Sequence, residues 1–336
     1  MYLNKNNNFD IIRLVLAVIV FLAHMSELTK FKELNIINNF LSTNFAIKSF
    51  FVISGFLIFM SYERSSDLKK YFINRVLRIY PAYIAIIFFS SILLYFSTNL
   101  KFFEYFNFSY IEYIIFNLLF LNFLEPSLPG VFENNNFSAV NGALWTLKIE
   151  VAFYLVVPFL TFLFKKYNTL KIILSLYFLS FIYTQTMLFM YEETTLEIYN
   201  ILSRQFPAQL SYFMVGAFSF YYYNKLSKNI TLLVFSSLLL LIISSVFNFS
   251  LIEPIGVGFF IISLSTLKYL GNYTPFGDLS YGIYIVHFPL IQFLYNVDYL
   301  KNNPYIFILM TIITVISISL IFWHLIEKRF LSFKSN

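Results

Sequence analysis

The amino-acid sequence predicts an all-α fold: a polytopic membrane helical bundle of about ten transmembrane helices plus one short interfacial or re-entrant helix, in a single integral-membrane domain over residues 1–336. Three observations lead there. Hydrophobic residues make up 59% of the chain and charged residues only 12%, far from the balance of a soluble domain. Apolar runs recur along the whole length, near the roughly 20 residues that a helix needs to cross a bilayer. Lysine and arginine gather in alternate loops, the asymmetry that orients membrane proteins. The net charge of +6 is then loop bias rather than a nucleic-acid footprint, and no nucleic-acid partner is expected. The absence of cysteine excludes disulfides, thiolate metal sites and a cysteine nucleophile. No metal is expected.

The apolar stretches fall near residues 10–27, 44–62, 79–97, 111–124, 144–164, 170–190, 205–223, 230–248, 251–268, 278–297 and 304–325. The first runs into Met25-Ser26-Glu27 rather than a small-x-small cleavage pattern, so it reads as a retained span. If all eleven crossed with the N-terminus inside, Lys165, Lys166 and Lys171 would lie outside and Glu192, Glu193 and Glu197 inside. That arrangement opposes the positive-inside bias. The fourth stretch is only fourteen residues long and contains Glu112, Asn117 and Asn122, which suits a helix that does not cross. Removing it leaves ten crossings, both termini cytoplasmic, and sixteen of the 23 basic residues inside, from Lys5 through Arg64, Lys69 and Lys70 to Lys334. The loop 125–143, with Pro126, Pro129, Gly130 and the asparagines 134–136, then lies outside. It reads either as part of a lid or as a polar linker.

Several polar residues stand out inside these runs. Arg13 and His24 are eleven residues apart, so on a helix they share one face, within about 20° after three turns, and lie about 16 Å apart along the axis. Ionisable groups at membrane depth cost about 2.5–3.5 kcal/mol or more when they face lipid, so such a stripe faces a protein interior or a wet cavity. In the second run, Ser54-Gly55 permits close backbone approach, with plain helix packing as the alternative reading. Arg75 and Arg78 share a face at the cytoplasmic end of the third run, where guanidinium forks suit phosphate or, equally, lipid headgroups. Glu150 sits in an apolar run, with Lys148 too near in sequence to face it. A partner on another span is expected, with His24 as candidate and a structural hydrogen bond between spans as the plainer reading. Tyr281, Tyr284 and His287 are spaced by threes and form one polar strip, in which a lone His287 reads first as a satisfied structural histidine and only second as a catalyst. Pro289 removes a backbone bond in the same run. His324, beside Trp323 and Glu327, reads as an interfacial anchor.

Taken in order, these blocks resemble the acyltransferase-3 family of membrane O-acyltransferases. The matching features are Arg13-x10-His24 after Phe9-Asp10, Phe51-Val52-Ile53-Ser54-Gly55-Phe56, Arg75-x2-Arg78-Ile79-Tyr80-Pro81, Leu144-Trp145-Thr146-Leu147-Lys148-Ile149-Glu150 with Phe153-Tyr154, and Ser280-Tyr281-x2-Tyr284-x2-His287. They span residues 9 to about 330. The resemblance implies transfer of an acyl group, usually acetyl, from cytoplasmic acyl-coenzyme A to a hydroxyl of a surface polysaccharide or its lipid-linked glycan precursor, in a bacterial cytoplasmic membrane. It implies His24 as catalytic base with Glu150 at the family's acidic position, and Arg13, Arg75 and Arg78 on the coenzyme-binding side. Ser54, Gly55, Tyr281, Tyr284 and His287 would line or support the substrate site. Two positions depart from the pattern. Lys148 stands where relatives carry a small or apolar residue, and Val151 where a second glutamate is common.

The residues suit this chemistry, since a neutral imidazole can take the proton of a hydroxyl attacking a thioester. Ser54 is a conceivable acyl carrier without a base adjacent in sequence. Two other classes fit parts of the pattern. Many spans with a few ionisable residues also describe a transporter or flippase, although the two halves show no matching interrupted segments. A non-catalytic scaffold would need no Arg13/His24 register. Binding of labelled acetyl-coenzyme A separates an acyltransferase from a transporter.

Overall fold

The computed structural model describes residues 7–65, 67–271 and 277–333, and among these every regular element is helical. Lys5 and Lys334, expected on the cytoplasmic side, lie outside the described residues. The principal helices are α1 (Phe9–Thr29), α2 (Thr43–Arg64), α3 (Leu68–Leu93), α4 (Phe108–Leu118), α5 (Trp145–Lys166) and α6 (Thr169–Thr194). They continue with α7 (Phe206–Tyr221), α8 (Ile230–Val246), α9 (Glu253–Thr266), α10 (Ser280–Tyr295) and α11 (Pro304–Phe322). Each apolar run of the sequence thus contains a helix.

Seven segments among the described residues are long and apolar enough to cross a membrane: Phe9–Thr29, Thr43–Arg64, Leu68–Ser97, Gly142–Lys166, Thr169–Thr194, Tyr223–Val246 and Pro304–Ser332. By length and composition seven helices thus qualify, and the expected count of ten is not confirmed. The other three, α7, α9 and α10, have 16, 14 and 16 residues, or about 21–24 Å of rise against a hydrocarbon core of about 30 Å. Most of their side chains are buried, those of α10 above all. A helix end enclosed by protein need not reach the headgroups, which is why short helices are tolerated there. By contrast α8 exposes Leu232, Phe235, Leu239 and Ile242 along one face, as a lipid-facing helix should. Helix α4 is eleven residues long, too short to cross. It starts where Asn107 accepts from the Tyr110 amide (3.2 Å) and stops before Phe120, whose φ is +61°.

The chain divides into two compact units. The first comprises Met1–Arg13, Asn44–Tyr71 and Ile149–Tyr273. Its core is aromatic: Phe153 stacks on Phe213 at 3.8 Å, and Phe51 meets Phe153 edge-on at 5.8 Å. Helices α2 and α7 cross at Gly55 and Gly216, where a Cβ on either would collide with the other helix's backbone. Lys48 and Glu253 pair at 2.7 Å. The second unit comprises Leu14–Thr43, Phe72–Lys148 and Thr274–Asn336. In it α10 packs along α11, with Gly282 against Ser319. Tyr83 stacks on Phe120 at 4.3 Å and donates to the Asn117 carbonyl at 2.7 Å.

Candidate active site

The second unit brings two histidines together. Helix α1 supplies His24 and α10 supplies His287, with His24 Nδ1 2.8 Å from His287 Nε2. The ring planes are inclined by only 17° with centroids 5.1 Å apart, so the rings meet edge to edge, where in-plane nitrogen lone pairs point. His287 is fully buried, and its Nδ1 lies 2.9 Å from the Ile283 carbonyl one turn back. Phe288 closes the edge of His24 at 5.5 Å. Gly142 lets that phenyl ring approach, since a Cβ there would lie 2.8 Å from it.

Local sequence explains how α10 holds this arrangement. Pro289 lies inside the helix and has no N–H, which leaves the carbonyl four residues back, that of Ile285, without its helical donor. Asn141, from the loop that precedes α5, fills the gap, its Nδ2 donating to that carbonyl at 2.8 Å. The same loop is fastened at its polar tip. Gln292 Nε2 donates to the Phe137 and Ala139 carbonyls (2.6 and 3.1 Å), and Asn135 donates to Gln292 Oε1 (3.0 Å). Asn136 donates to the Leu28 carbonyl (2.8 Å), one of the acceptors that a helix leaves open at its C-terminus. The loop 125–143 is thus tied to both histidine-bearing helices.

The remaining predicted residues of this unit lie on α3 and α10. Arg78 Nη2 contacts Asp278 Oδ2 at 2.6 Å, both side chains largely shielded from solvent. Asp278 in turn accepts from the Ser280 hydroxyl (2.5 Å) and amide (3.2 Å), at the start of α10, where negative charge is favoured. Arg75, one turn earlier on α3, is half-buried. Tyr281 donates to the Ile79 carbonyl at 2.9 Å. Tyr284 lies 2.5 Å from the Thr146 hydroxyl and donates to the Ala143 carbonyl at 3.2 Å. Lys148 sets its ammonium over Phe123 at 4.3 Å, a cation–π contact.

Arg13, Ser54, Gly55 and Glu150 belong to the first unit. Arg13 lies 3.7 Å from Asp10. Gly55 forms the α2–α7 crossing, and Ser54 beside it is half-buried. Glu150 corrects an expectation: it accepts from the Tyr154 hydroxyl of its own helix at 2.6 Å, whereas His24 pairs with His287. A search for a charged partner passes over a tyrosine at i+4, although that spacing sets the two side chains on one face. In the same unit Pro158 leaves the Tyr154 carbonyl without a helical donor, and the buried Tyr71 hydroxyl donates to it at 3.1 Å.

Sequence reasoning missed Asn141, Thr146, Tyr71 and Gln292. For Asn141 and Tyr71 the available signal was the proline: each intrahelical proline announces an orphan carbonyl, although not its donor.

An acyltransferase-domain family matches residues 6–323. Among curated proteins, the O-acetyl transferase of Shigella phage Sf6 is 27% identical over 340 residues, covering 98% of this chain and 97% of that protein. Nodulation protein 10 of Rhizobium leguminosarum bv. viciae is 29% identical over 171 residues, 48% of this chain and 46% of that protein. No solved structure matches the chain.

Proposed function

Because the chain belongs to the acyltransferase-3 family, whose domain covers nearly all of it, we propose that it moves an acetyl group from cytoplasmic acetyl-coenzyme A to a hydroxyl of a surface polysaccharide or a lipid-linked glycan. The family and the long apolar helices make it an integral membrane acyltransferase. Similarity along almost the full length to a phage O-acetyl transferase favours acetyl as the group and oxygen as the acceptor atom. The single observation that carries the catalytic reading is the His24–His287 contact, an imidazole held by a second imidazole inside an apolar bundle.

In this reading His24 takes the acceptor hydroxyl's proton as the oxygen attacks the thioester carbonyl carbon. The C–O bond forms, the C–S bond breaks, and the proton passes to the departing sulfur. Positioned general-base catalysis of this kind contributes roughly 10²–10⁴-fold. Arg75 and Arg78 supply forked donors for the coenzyme phosphates. Arg13 is proposed to add to the coenzyme side and Glu150 to support catalysis through its bond with Tyr154. Tyr281 and Tyr284 hold α10 in register, while Ser54 and Gly55 serve helix packing.

Purified protein in lipid nanodiscs, given radiolabelled acetyl-coenzyme A and a lipid-linked glycan extract, tests this. Wild-type protein should bind the donor and label the extract. Transfer without any dependence on coenzyme-linked acetyl, or no donor binding at all, would return the chain to the transporter or scaffold class.

A further inference from the structure

We infer that His287 is the positioning residue that sets the tautomer of His24, leaving His24 Nε2 as the proton-accepting nitrogen. The inference rests on His24 being the base, and it names which nitrogen acts and why.

The Ile283 carbonyl has no proton, so the 2.9 Å contact with His287 Nδ1 is a hydrogen bond only if that nitrogen carries the hydrogen. A neutral imidazole has one N–H and one lone pair. His287 Nε2 is then the lone-pair nitrogen, and it faces His24 Nδ1 at 2.8 Å. The bond forms only if His24 Nδ1 carries the hydrogen in its turn. The remaining His24 nitrogen, Nε2, is left with an in-plane lone pair and no hydrogen. Each assignment follows from the one before it, beginning at a backbone carbonyl held by the helix itself.

The surroundings make this assignment stiff. His287 is fully buried between Phe21 and Tyr284, with ring centroids 6.1 and 6.0 Å away, so it has little room to rotate away from Ile283. Pro289, two residues on, weakens the helix locally, and the Asn141 bond to Ile285 compensates. During transfer the acceptor proton arrives at His24 Nε2, the ring becomes an imidazolium, and its Nδ1–H remains bonded to a neutral acceptor. When the sulfur departs it takes the proton back from Nε2, and the pair returns to its starting state. His287 thus orients the base and supports its charged form, as a carboxylate does in other base–nucleophile arrangements, without bringing a permanent charge into the bundle.

The test is ¹⁵N-histidine NMR on the full-length protein in nanodiscs at the pH of the transfer assay. The chain has only three histidines, and His324→Gln leaves the two of interest. Wild-type spectra should show both His24 and His287 protonated at Nδ1 alone. His287→Leu should shift His24 to the Nε2–H form or a mixture, with kcat down at least about 10²-fold and the KM for acetyl-coenzyme A within about twofold. His287→Gln offers a side-chain carbonyl to His24 Nδ1–H and should recover the tautomer and part of kcat. Finding wild-type His24 protonated at Nε2, or His287 doubly protonated, would overturn the inference. An unchanged His24 spectrum in His287→Leu would do the same. A His24→Ala enzyme that still transfers would instead remove the base assignment, whatever the spectra show.

Discussion

Arg78 sits between two demands, a carboxylate 2.6 Å away and the phosphates proposed for it. Arg78→Ala should weaken acetyl-coenzyme A binding by more than tenfold, and it also strands Asp278 in a shielded position, which destabilises in its own right. The two effects separate in a double variant. Asp278→Asn relieves the stranded charge, so Arg78→Ala/Asp278→Asn should recover thermal stability but not donor affinity, measured by calorimetry and by equilibrium binding. Recovery of affinity in the double variant would make Arg78 an anchor for α10 and nothing more. At this scale the sequence is legible wherever an ionisable group interrupts an apolar run, which is why Arg13, His24, Arg78, Glu150 and His287 stand out. Pairings are another matter. The contact of His24 with His287, 263 positions away, is set by packing that no spacing rule reaches, and the Glu150–Tyr154 bond joins a charged group to a neutral one.

Two helices in this chain carry a proline where another side chain supplies the missing donor, Pro289 in α10 and Pro158 in α5. Asn141→Ala should expose the Ile285 carbonyl as a buried orphan acceptor, at a cost of about 1–3 kcal/mol, and disturb the His287 turn. Pro289→Ala restores an N–H to the helix, so in its presence Asn141→Ala should cost markedly less, read as a positive coupling between the two sites in melting temperature and in kcat. Additive losses would show that Asn141 and Pro289 are unrelated. The corresponding pair in the first unit, Tyr71→Phe with Pro158→Ala, should behave in the same way. Every apolar run contains a helix, because hydropathy reports burial or lipid contact directly. Helix length is harder to read. The 278–297 run was expected to cross, yet α10 covers Ser280–Tyr295; enclosed residues are as apolar as lipid-facing ones, so composition does not distinguish the two settings. Helix α4 was legible as short because Glu112, Asn117 and Asn122 break its apolar run.

For the whole molecule, the topology inferred from charge gives a direct expectation. With no native cysteine, single cysteines at 134–136 and 192–193 should react with an impermeant maleimide from outside intact cells, and those at 69–70 and 226–228 only after permeabilisation. Labelling at 192–193 from inside alone would reverse the second half of the orientation. The family was legible in five short blocks because each pairs an ionisable or small residue with a fixed apolar context. The donor and acceptor are not written in such blocks, since many acyl groups and glycans present the same thioester and hydroxyl. The central claim is that His24 accepts the acceptor's proton. It is tested most directly by measuring acetyl transfer and acetyl-coenzyme A binding side by side in purified wild-type and His24→Ala protein. Transfer should fall by at least about 10²-fold while donor affinity stays within a few-fold, because the proposed phosphate contacts lie on the arginines and not on His24. Near-normal transfer by His24→Ala, with the protein folded and the donor bound, would contradict the account.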